Sequence, residues 1–175
     1  MRDSLLYFAY GSNMLSRRLA GRCPSAAAVG RARLAGHRLR FDKRSWRDGS
    51  GKCHVVADAA AGAAVWGVLY RVPEAELGEL DRMEGVGKGY EVGVCRVRGP
   101  RDRELPALTY LAEAGAVDES LRPFSWYRDL VVAGAVEHAL PEEWIATLRA
   151  VEVVEDTRKE RRHAMRELLS EEPRP

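Results

Sequence analysis

The chain has 175 residues, of which 46% are hydrophobic and 31% are charged. This length suits one domain with a single core. The 28 Lys and Arg residues against 26 Asp and Glu residues give a formal charge of +2, which predicts no strong preference for nucleic acid or anionic membranes. The sequence contains neither an apolar run long enough to span a membrane nor a secretory signal. We therefore expect one domain over residues 1–175, located in the cytoplasm, with no nucleic-acid or membrane partner.

Strand patterns dominate the first two-thirds of the chain. Apolar and alternating segments predict five strands, at 5–9, 37–43, 64–72, 90–98 and 105–112. Seven basic residues lie between Arg31 and Arg47, where Phe41 and Trp46 could contribute to a nucleic-acid surface. Their partial alternation instead favours the solvated face of a pair of strands.

Helical patterns dominate the last third of the chain. A first helix is predicted directly after Asn13, and further helices are predicted at 73–83, 124–139, 141–151 and 156–172, the last one mostly solvated and followed by a tail to residue 175. Strands followed by clustered helices indicate an α+β fold rather than an alternating parallel sheet. The apolar segment 126–139 suits either the core or the interface of a homodimer.

Cysteine and histidine residues form no metal-binding motif. Cys23, Cys53 and Cys95 are widely spaced, and the four histidines are dispersed, so we expect neither a disulfide framework nor a metal site, and no cofactor. Cys53 and His54 are neighbours in the sequence. In a strand they would point to opposite faces, which argues against a Cys–His catalytic pair.

The segment after the first strand has the features of an anion site. Gly11 allows a sharp turn between the strand and the following helix. The unpaired backbone N–H groups at a helix start would stabilise a carboxylate or a developing oxyanion. The alternative is that Ser12 or Asn13 simply caps the helix and that Gly11 is an ordinary turn residue.

A second candidate is the carboxylate of Glu84, which ends a predicted helix before the glycine-rich segment 85–89. The negative end of the helix dipole disfavours a charged carboxylate there, and this suits a group that must accept a proton. Asp81, three residues earlier, could share the helix face and form an acid–base pair with it. The alternative is an ordinary exposed glutamate before a glycine C-cap.

Several segments together resemble the γ-glutamylcyclotransferase family. The segments YFAYGSN, VWGVLY, LDRMEGVGKGY, Tyr127 and GAVEHALPEEW occur in the family's order, between about Leu6 and Glu152. The resemblance implies a small α+β fold, with a mixed, partly closed β-barrel surrounded by helices. It also implies an enzyme that converts a γ-glutamyl amine or γ-glutamyl amino acid into 5-oxoproline and the free amine. Other γ-glutamyl amides, or a catalytically silent binding module, remain alternatives.

The resemblance also assigns roles to particular residues. The catalytic glutamate falls on Glu84, and a substrate-contacting tyrosine falls on Trp144, which would donate through its indole N–H or else be a core residue of its helix. Strand alternation predicts that Tyr7 faces away from Phe8 and Tyr10. The family also allows a homodimer. The substrate loop falls on Tyr7, Phe8, Ala9, Tyr10, Gly11, Ser12 and Asn13.

Overall fold

The computed structural model describes residues 3–170. It contains seven strands and five α-helices in these residues. In chain order they are β1 (Ser4–Ala9), α1 (Ser16–Ala20), β2 (Ala27–Ala35), β3 (His37–Arg44), β4 (Gly51–Ala57), β5 (Ala64–Pro73), α2 (Glu74–Glu84), β6 (Tyr90–Arg98), β7 (Glu104–Ala112), α3 (Ser125–Glu137), α4 (Glu142–Arg149) and α5 (Lys159–Ser170).

Five strands form a closed barrel in the order β1-β5-β2-β6-β7. Four of the five contacts between neighbouring strands are antiparallel, and β1 closes the barrel by pairing in parallel with β7 at Tyr7 and Leu108. Strands β3 and β4 form a separate two-stranded sheet. The predicted α+β barrel with surrounding helices is thus confirmed, and the barrel is fully closed.

The apolar face of α3 belongs to the core of the chain. Its buried side chains include Trp126, Tyr127, Leu130 and Val131. Of the two alternatives for this segment, the structure therefore supports the core. No helix within residues 3–170 has the length and apolar character needed to cross a membrane.

Two strands escaped prediction because their sequences lack a clear alternation of apolar residues. Strand β2 reads AAVGRARLA and β4 reads GKCHVVA. The prediction of a solvated basic face is wrong for the end of β3, where the pairing with β4 shifts register between Arg40 and Lys43. This irregularity turns Asp42 and Lys43 inward, leaving them only 4% and 1% exposed.

The helix predictions agree with the structure in number, with two differences. The first helix is only five residues long and follows a single 3-10 turn at Ser12–Met14. The last helix packs Met165, Leu168 and Leu169 against the core, so it is less solvated than expected. Residues 171–175, including the predicted end of this helix and the tail, lie outside the described residues.

Candidate active site

The chain turns away from the barrel directly after β1, and this turn brings Tyr7 and Tyr10 to the same cavity. The expectation that these two side chains face opposite sides is wrong because the strand ends at Ala9, so its alternation does not extend to Tyr10. Phe8 and Ala9, which the resemblance places in the substrate loop, are buried in the core and are not among the cavity's lining residues.

An inner cavity of about 30 Å³ lies at this end of the barrel. Glu84 contributes its only carboxylate, and no lysine, arginine or histidine of the described chain lines it. The lining residues are Tyr7, Tyr10, Gly11, Ser12, Asn13, Cys53, Glu84, Tyr90, Tyr110 and Tyr127. Five tyrosines and one carboxylate therefore define its chemistry.

Gly11 is required here for space rather than for a left-handed backbone. Its φ angle is −117°, which other residues adopt readily. A Cβ atom at this position would lie 3.2 Å from both the Cβ atom of Cys53 and the hydroxyl oxygen of Tyr127. A side chain at residue 11 would therefore displace the opposite wall of the inner cavity.

The loop also carries free backbone donors. Within residues 3–170, the N–H groups of Gly11, Ser12 and Asn13 donate to no other protein group. The alternative of a simple helix cap is not supported, because the 3-10 turn has no side-chain cap and the Ser12 hydroxyl instead accepts a hydrogen bond of 3.0 Å from Arg18 Nε. These donors remain available for a ligand oxygen.

Glu84 is held in place by the end of its helix. Gly85 terminates α2 in the left-handed conformation, at φ 80°. A Cβ atom there would lie 2.3 Å from Trp46 Nε1, so glycine is required for space as well as for backbone conformation. The alternative of a glycine C-cap is thus correct for Gly85, yet Glu84 is not an exposed residue, since only 17% of its side chain is accessible.

Two side chains hold one oxygen of the Glu84 carboxylate. Asn13 Nδ2 donates to Oε1 over 3.0 Å, and Arg22 forms an ion pair with the same oxygen. Arg22 also donates to Asn13 Oδ1 over 2.8 Å, which closes a triangle of polar contacts. No group of the described chain donates to Oε2. One oxygen is thus fixed by the protein, and the other is available to a substrate.

Arg22 opposes the effect of the helix end on this carboxylate. Glu84 lies at the negative end of α2, and the Arg22 guanidinium, only 10% exposed, places a positive charge directly against its carboxylate. No motif in the sequence points to Arg22. It lies two residues beyond the end of α1, so its spacing of four residues from Arg18 does not place the two side chains on one helix face.

Asp81 does not form an acid–base pair with Glu84. Its carboxylate accepts a hydrogen bond of 2.7 Å from the Tyr110 hydroxyl and is not among the residues that line either the inner cavity or the larger one beside it. Burial raises the pKa of Tyr110 well above its ordinary range, and the nearby Asp81 carboxylate adds to this effect. Asp81 therefore positions Tyr110 rather than exchanging protons with a ligand.

The tyrosines of the inner cavity act as neutral hydrogen-bonding groups. Burial raises the pKa values of Tyr7 and Tyr127 well above the ordinary tyrosine value, so both hydroxyls stay protonated. Tyr7 accepts a hydrogen bond of 3.0 Å from Asn13, and Tyr127 accepts one of 3.1 Å from the Cys53 backbone N–H. Each hydroxyl keeps its own hydrogen, which can turn towards a ligand.

The buried thiol of Cys53 is not a nucleophile. Burial raises its pKa to about 12, so it remains protonated at neutral pH. His54 contacts the Asp42 carboxylate instead of the cavity, as expected for neighbours on opposite faces of a strand. Within residues 3–170 no cluster of three His, Cys, Asp or Glu side chains suits a metal ion.

An outer cavity of about 430 Å³ opens beside the inner one, and Ser12, Glu84, Tyr90 and Tyr127 line both. Among residues 3–170, only Asp48 and Glu84 contribute carboxylates to it. Its cationic side chains are Arg17, Arg18, Arg22, Lys43, Arg47, Lys52 and Arg161. The space beyond Glu84 is therefore strongly basic, although the chain as a whole is nearly balanced in charge.

Helix α5 forms one wall of the outer cavity through Arg161, Met165 and Leu168. It is attached by the fully buried Asp156, which accepts hydrogen bonds of 2.9 Å from Trp126 Nε1 and 2.6 Å from Arg161 Nη2. The Arg161 guanidinium holds the pKa of Asp156 well below its usual range. The attachment is therefore electrostatic as well as apolar.

Trp144, which the resemblance assigns to the substrate site, is not among the residues that line either cavity. It lies on α4 and packs against the core, and its buried indole N–H has no hydrogen-bond partner among residues 3–170. Two other aromatic residues, Tyr90 on β6 and Tyr127 on α3, line both cavities. The alternative of a core residue at position 144 thus fits the structure.

Comparison with known proteins assigns this barrel to a family. Residues 64–148, from β5 through α4, match the family model of the AIG2-like family. The chain is 34% identical to the human protein named gamma-glutamylcyclotransferase over 86% of this chain and 80% of that protein. It is 35% identical to the corresponding mouse protein, with the same coverage.

A solved structure of a gamma-glutamyl cyclotransferase superimposes on the fold. Its TM-score is 0.83 at 31% identity, and the match covers 94% of this chain and 99% of the solved one. The chain belongs to the γ-glutamylcyclotransferase family of enzymes.

Proposed function

We propose that the protein cyclises a small γ-glutamyl compound to 5-oxoproline and releases the amine to which the γ-glutamyl group was attached. The observation that carries this proposal is the arrangement of Glu84. It is the only carboxylate lining the inner cavity, and one of its oxygens is free of protein partners within the described chain. A fixed carboxylate with one free oxygen suits a group that moves protons.

Glu84 acts as the proton carrier in the proposed reaction. At neutral pH the α-amino group of the substrate is protonated and cannot attack. Oε2 of Glu84 removes a proton, the freed nitrogen bonds to the γ-carbonyl carbon, and the bond from that carbon to the leaving nitrogen then breaks. The attacking nitrogen loses two protons overall and the leaving nitrogen gains two, so the reaction balances without a further reactant.

The loop after β1 stabilises the oxyanion that forms on the γ-carbonyl oxygen. The free backbone N–H groups of Gly11, Ser12 and Asn13 are donors of the required kind. The hydroxyls of Tyr7 and Tyr127 provide further hydrogens in the same small cavity. Loss of one such donor costs an enzyme about 10²–10³-fold in rate.

The two cavities divide the substrate between them. The inner cavity, at about 30 Å³, accommodates only a few atoms, so we place the γ-carbonyl region at its mouth beside Glu84. The outer cavity, at about 430 Å³, is of the size typical of small-molecule sites and receives the remainder. Intramolecular attack has a favourable effective concentration, so a folded substrate conformation is the main requirement.

Oligomeric state and compartment complete the proposal. A homodimer rests on the family resemblance alone, because the apolar face of α3 is used within the chain. The proposed location in the cytoplasm rests on the odd number and wide spacing of the cysteines in the sequence.

The test is a set of γ-glutamyl compounds incubated with purified protein, followed by chromatography for 5-oxoproline and the released amine. We expect both products in equal amounts, with no loss of rate after treatment with EDTA. A catalytically silent binding module would bind members of the set, as a thermal shift would reveal, and yet form no 5-oxoproline. That outcome would overturn the proposal.

A further inference from the structure

Most cations of the outer cavity are not neutralised by the protein itself. Three of the seven have a carboxylate partner within 4 Å, in the pairs Arg22–Glu84, Lys52–Asp48 and Arg161–Asp156. Arg17, Arg18, Lys43 and Arg47 form no ion pair within residues 3–170. The cavity therefore offers more positive charge than the protein's own carboxylates balance.

Lys43 is the clearest case because it is almost entirely buried, at 1% exposure. It forms no hydrogen bond with any described residue, and its ammonium nitrogen lies 3.8 Å from the centre of the Tyr90 ring. Gly89 makes room for it, since a Cβ atom there would lie 3.1 Å from Nζ. Burial lowers the pKa of Lys43 to about 8, and the nearby Glu84 carboxylate only partly opposes this.

Arg18 is the second such group. Its Nε donates to Ser12 over 3.0 Å, and Nη1 contacts the sulfur of Met165 at 3.8 Å, so no carboxylate of the described chain meets its guanidinium. Burial and the neighbouring Arg22 lower its pKa to about 10. A cation removed from water without a counter-ion destabilises a fold. An anion bound in this cavity would neutralise both cations and remove that cost.

We propose that Lys43 and Arg18 bind acid groups on the part of the substrate that is released, so that the preferred substrates are γ-glutamyl conjugates of a dicarboxylic amino acid. This inference rests on the proposed function and specifies its substrate class. The α-carboxylate of the γ-glutamyl group pairs with one cation and leaves others for a second and third carboxylate. Lysine linked through its ε-amino group carries an α-ammonium beside its α-carboxylate, so it brings no net negative charge to these cations.

γ-Glutamyl-glutamate and γ-glutamyl-glutamine form a matched pair for the test, because they are nearly identical in shape and differ by one negative charge. We expect the wild-type kcat/KM to be at least about tenfold higher for γ-glutamyl-glutamate, as a hydrogen bond to a charged group predicts. ε-(γ-Glutamyl)-lysine is expected to be the poorest of the three substrates.

Lys43→Met removes the charge and keeps an unbranched side chain of similar length. We expect it to lower kcat/KM for γ-glutamyl-glutamate by about 10- to 100-fold and to bring the ratio of the pair close to one. Lys159→Met, which removes an exposed lysine charge at the start of α5, is the matched control and should leave both values unchanged. If Lys43→Met does not fold, Arg18→Met decides the same question.

Failure of this inference differs from failure of the proposed function. Absence of 5-oxoproline with every compound would overturn the cyclotransferase activity itself. Equal wild-type kcat/KM values for the matched pair would overturn the substrate class alone. An equal loss for both compounds in Lys43→Met would do the same, because it would assign Lys43 a purely structural role. A thermal shift with free glutamate and glutamine gives a readout independent of turnover, and glutamate should stabilise the wild-type protein more.

Discussion

Replacing Glu84 by glutamine removes the proposed proton carrier and changes little else. The glutamine side chain has the same shape, and its oxygen can still accept the hydrogen bonds that Asn13 and Arg22 donate to Oε1. The neutral amide has no basic oxygen for the substrate ammonium. We therefore expect a folded protein whose turnover is lost.

The expected size of the effect follows from the two roles of the carboxylate. General-base catalysis contributes about 10²–10⁴-fold, or roughly 3–5 kcal/mol of activation free energy. Because no other carboxylate of the described residues lines the inner cavity, the loss should lie at the upper end of this range. Replacing the charged acceptor by a neutral one weakens the bonds from Asn13 and Arg22 and costs about 1–3 kcal/mol of stability. For a domain of this size that lowers Tm by about 2–12 °C.

The assay follows 5-oxoproline by chromatography under single-substrate conditions, with thermal unfolding measured on the same preparations. Glu79→Gln is the matched control, since Glu79 lies on the same helix, is 49% exposed and pairs only with Arg82. An exposed pair contributes about 0–1 kcal/mol, so this variant should keep both its activity and its Tm.

A folded Glu84→Gln protein that retains more than about a tenth of the wild-type kcat/KM would refute the role of Glu84 as general base, because a general base contributes at least about 10²-fold. In that case another group would have to remove the proton. The protonated Cys53 thiol and the buried tyrosines are poorly suited to do so.

Four further outcomes are expected. Gly11→Val should fold with about 1–3 kcal/mol less stability and lose activity, because the valine side chain would displace Tyr127. Kinetics and thermal unfolding measured on the same protein test this, and full activity would contradict it. Asp156→Asn should raise KM more than it lowers kcat, because α5 loses its charged contact with the core. An unchanged KM would contradict this role of α5. Trp144→Phe should lower stability and leave the ranking of substrates by kcat/KM unchanged. An altered ranking would support a place for residue 144 in the substrate site. Below pH 8, Lys43→Met should be more stable than wild type, and this difference in stability should shrink towards pH 10.5. The reason is that the pKa of Lys43 is about 8 in the folded protein and 10.5 in the unfolded chain. Denaturant unfolding across this pH range measures the difference, and a pH-independent difference would contradict the prediction.

The sequence predicts well those elements whose apolar periodicity is strong. Strand β6 was predicted with its observed bounds, and α3 differs from its prediction by one or two residues at each end. Strand β2 was missed because alanine, glycine and arginine give it a mostly exposed pattern that resembles a loop. The inward turn of Lys43 could not be foreseen either, since it depends on a shift of register against β4 that only the pairing of the strands determines.

The candidate site was predictable in part for the same physical reason. Glu84 and the loop at Gly11 lie in segments whose local sequence is unusual, and they meet in the structure. Arg22 lies 62 residues before Glu84, and nothing local indicates that the two form an ion pair. That Tyr127 lines the cavities and Trp144 does not depends on how α3 and α4 pack on the barrel, which sequence position alone does not reveal.

The position of α5 has a consequence for how substrate preference can diverge among relatives. Glu84, the proposed proton carrier, lies at the end of α2, within the matched region 64–148, whereas the wall formed by Arg161, Met165 and Leu168 lies outside it. Mutations in α5 can therefore reshape the space for the released amine without moving the atoms that form and break bonds. Selection can act on the two functions separately, so new preferences can evolve through α5 while the cyclisation chemistry is inherited intact.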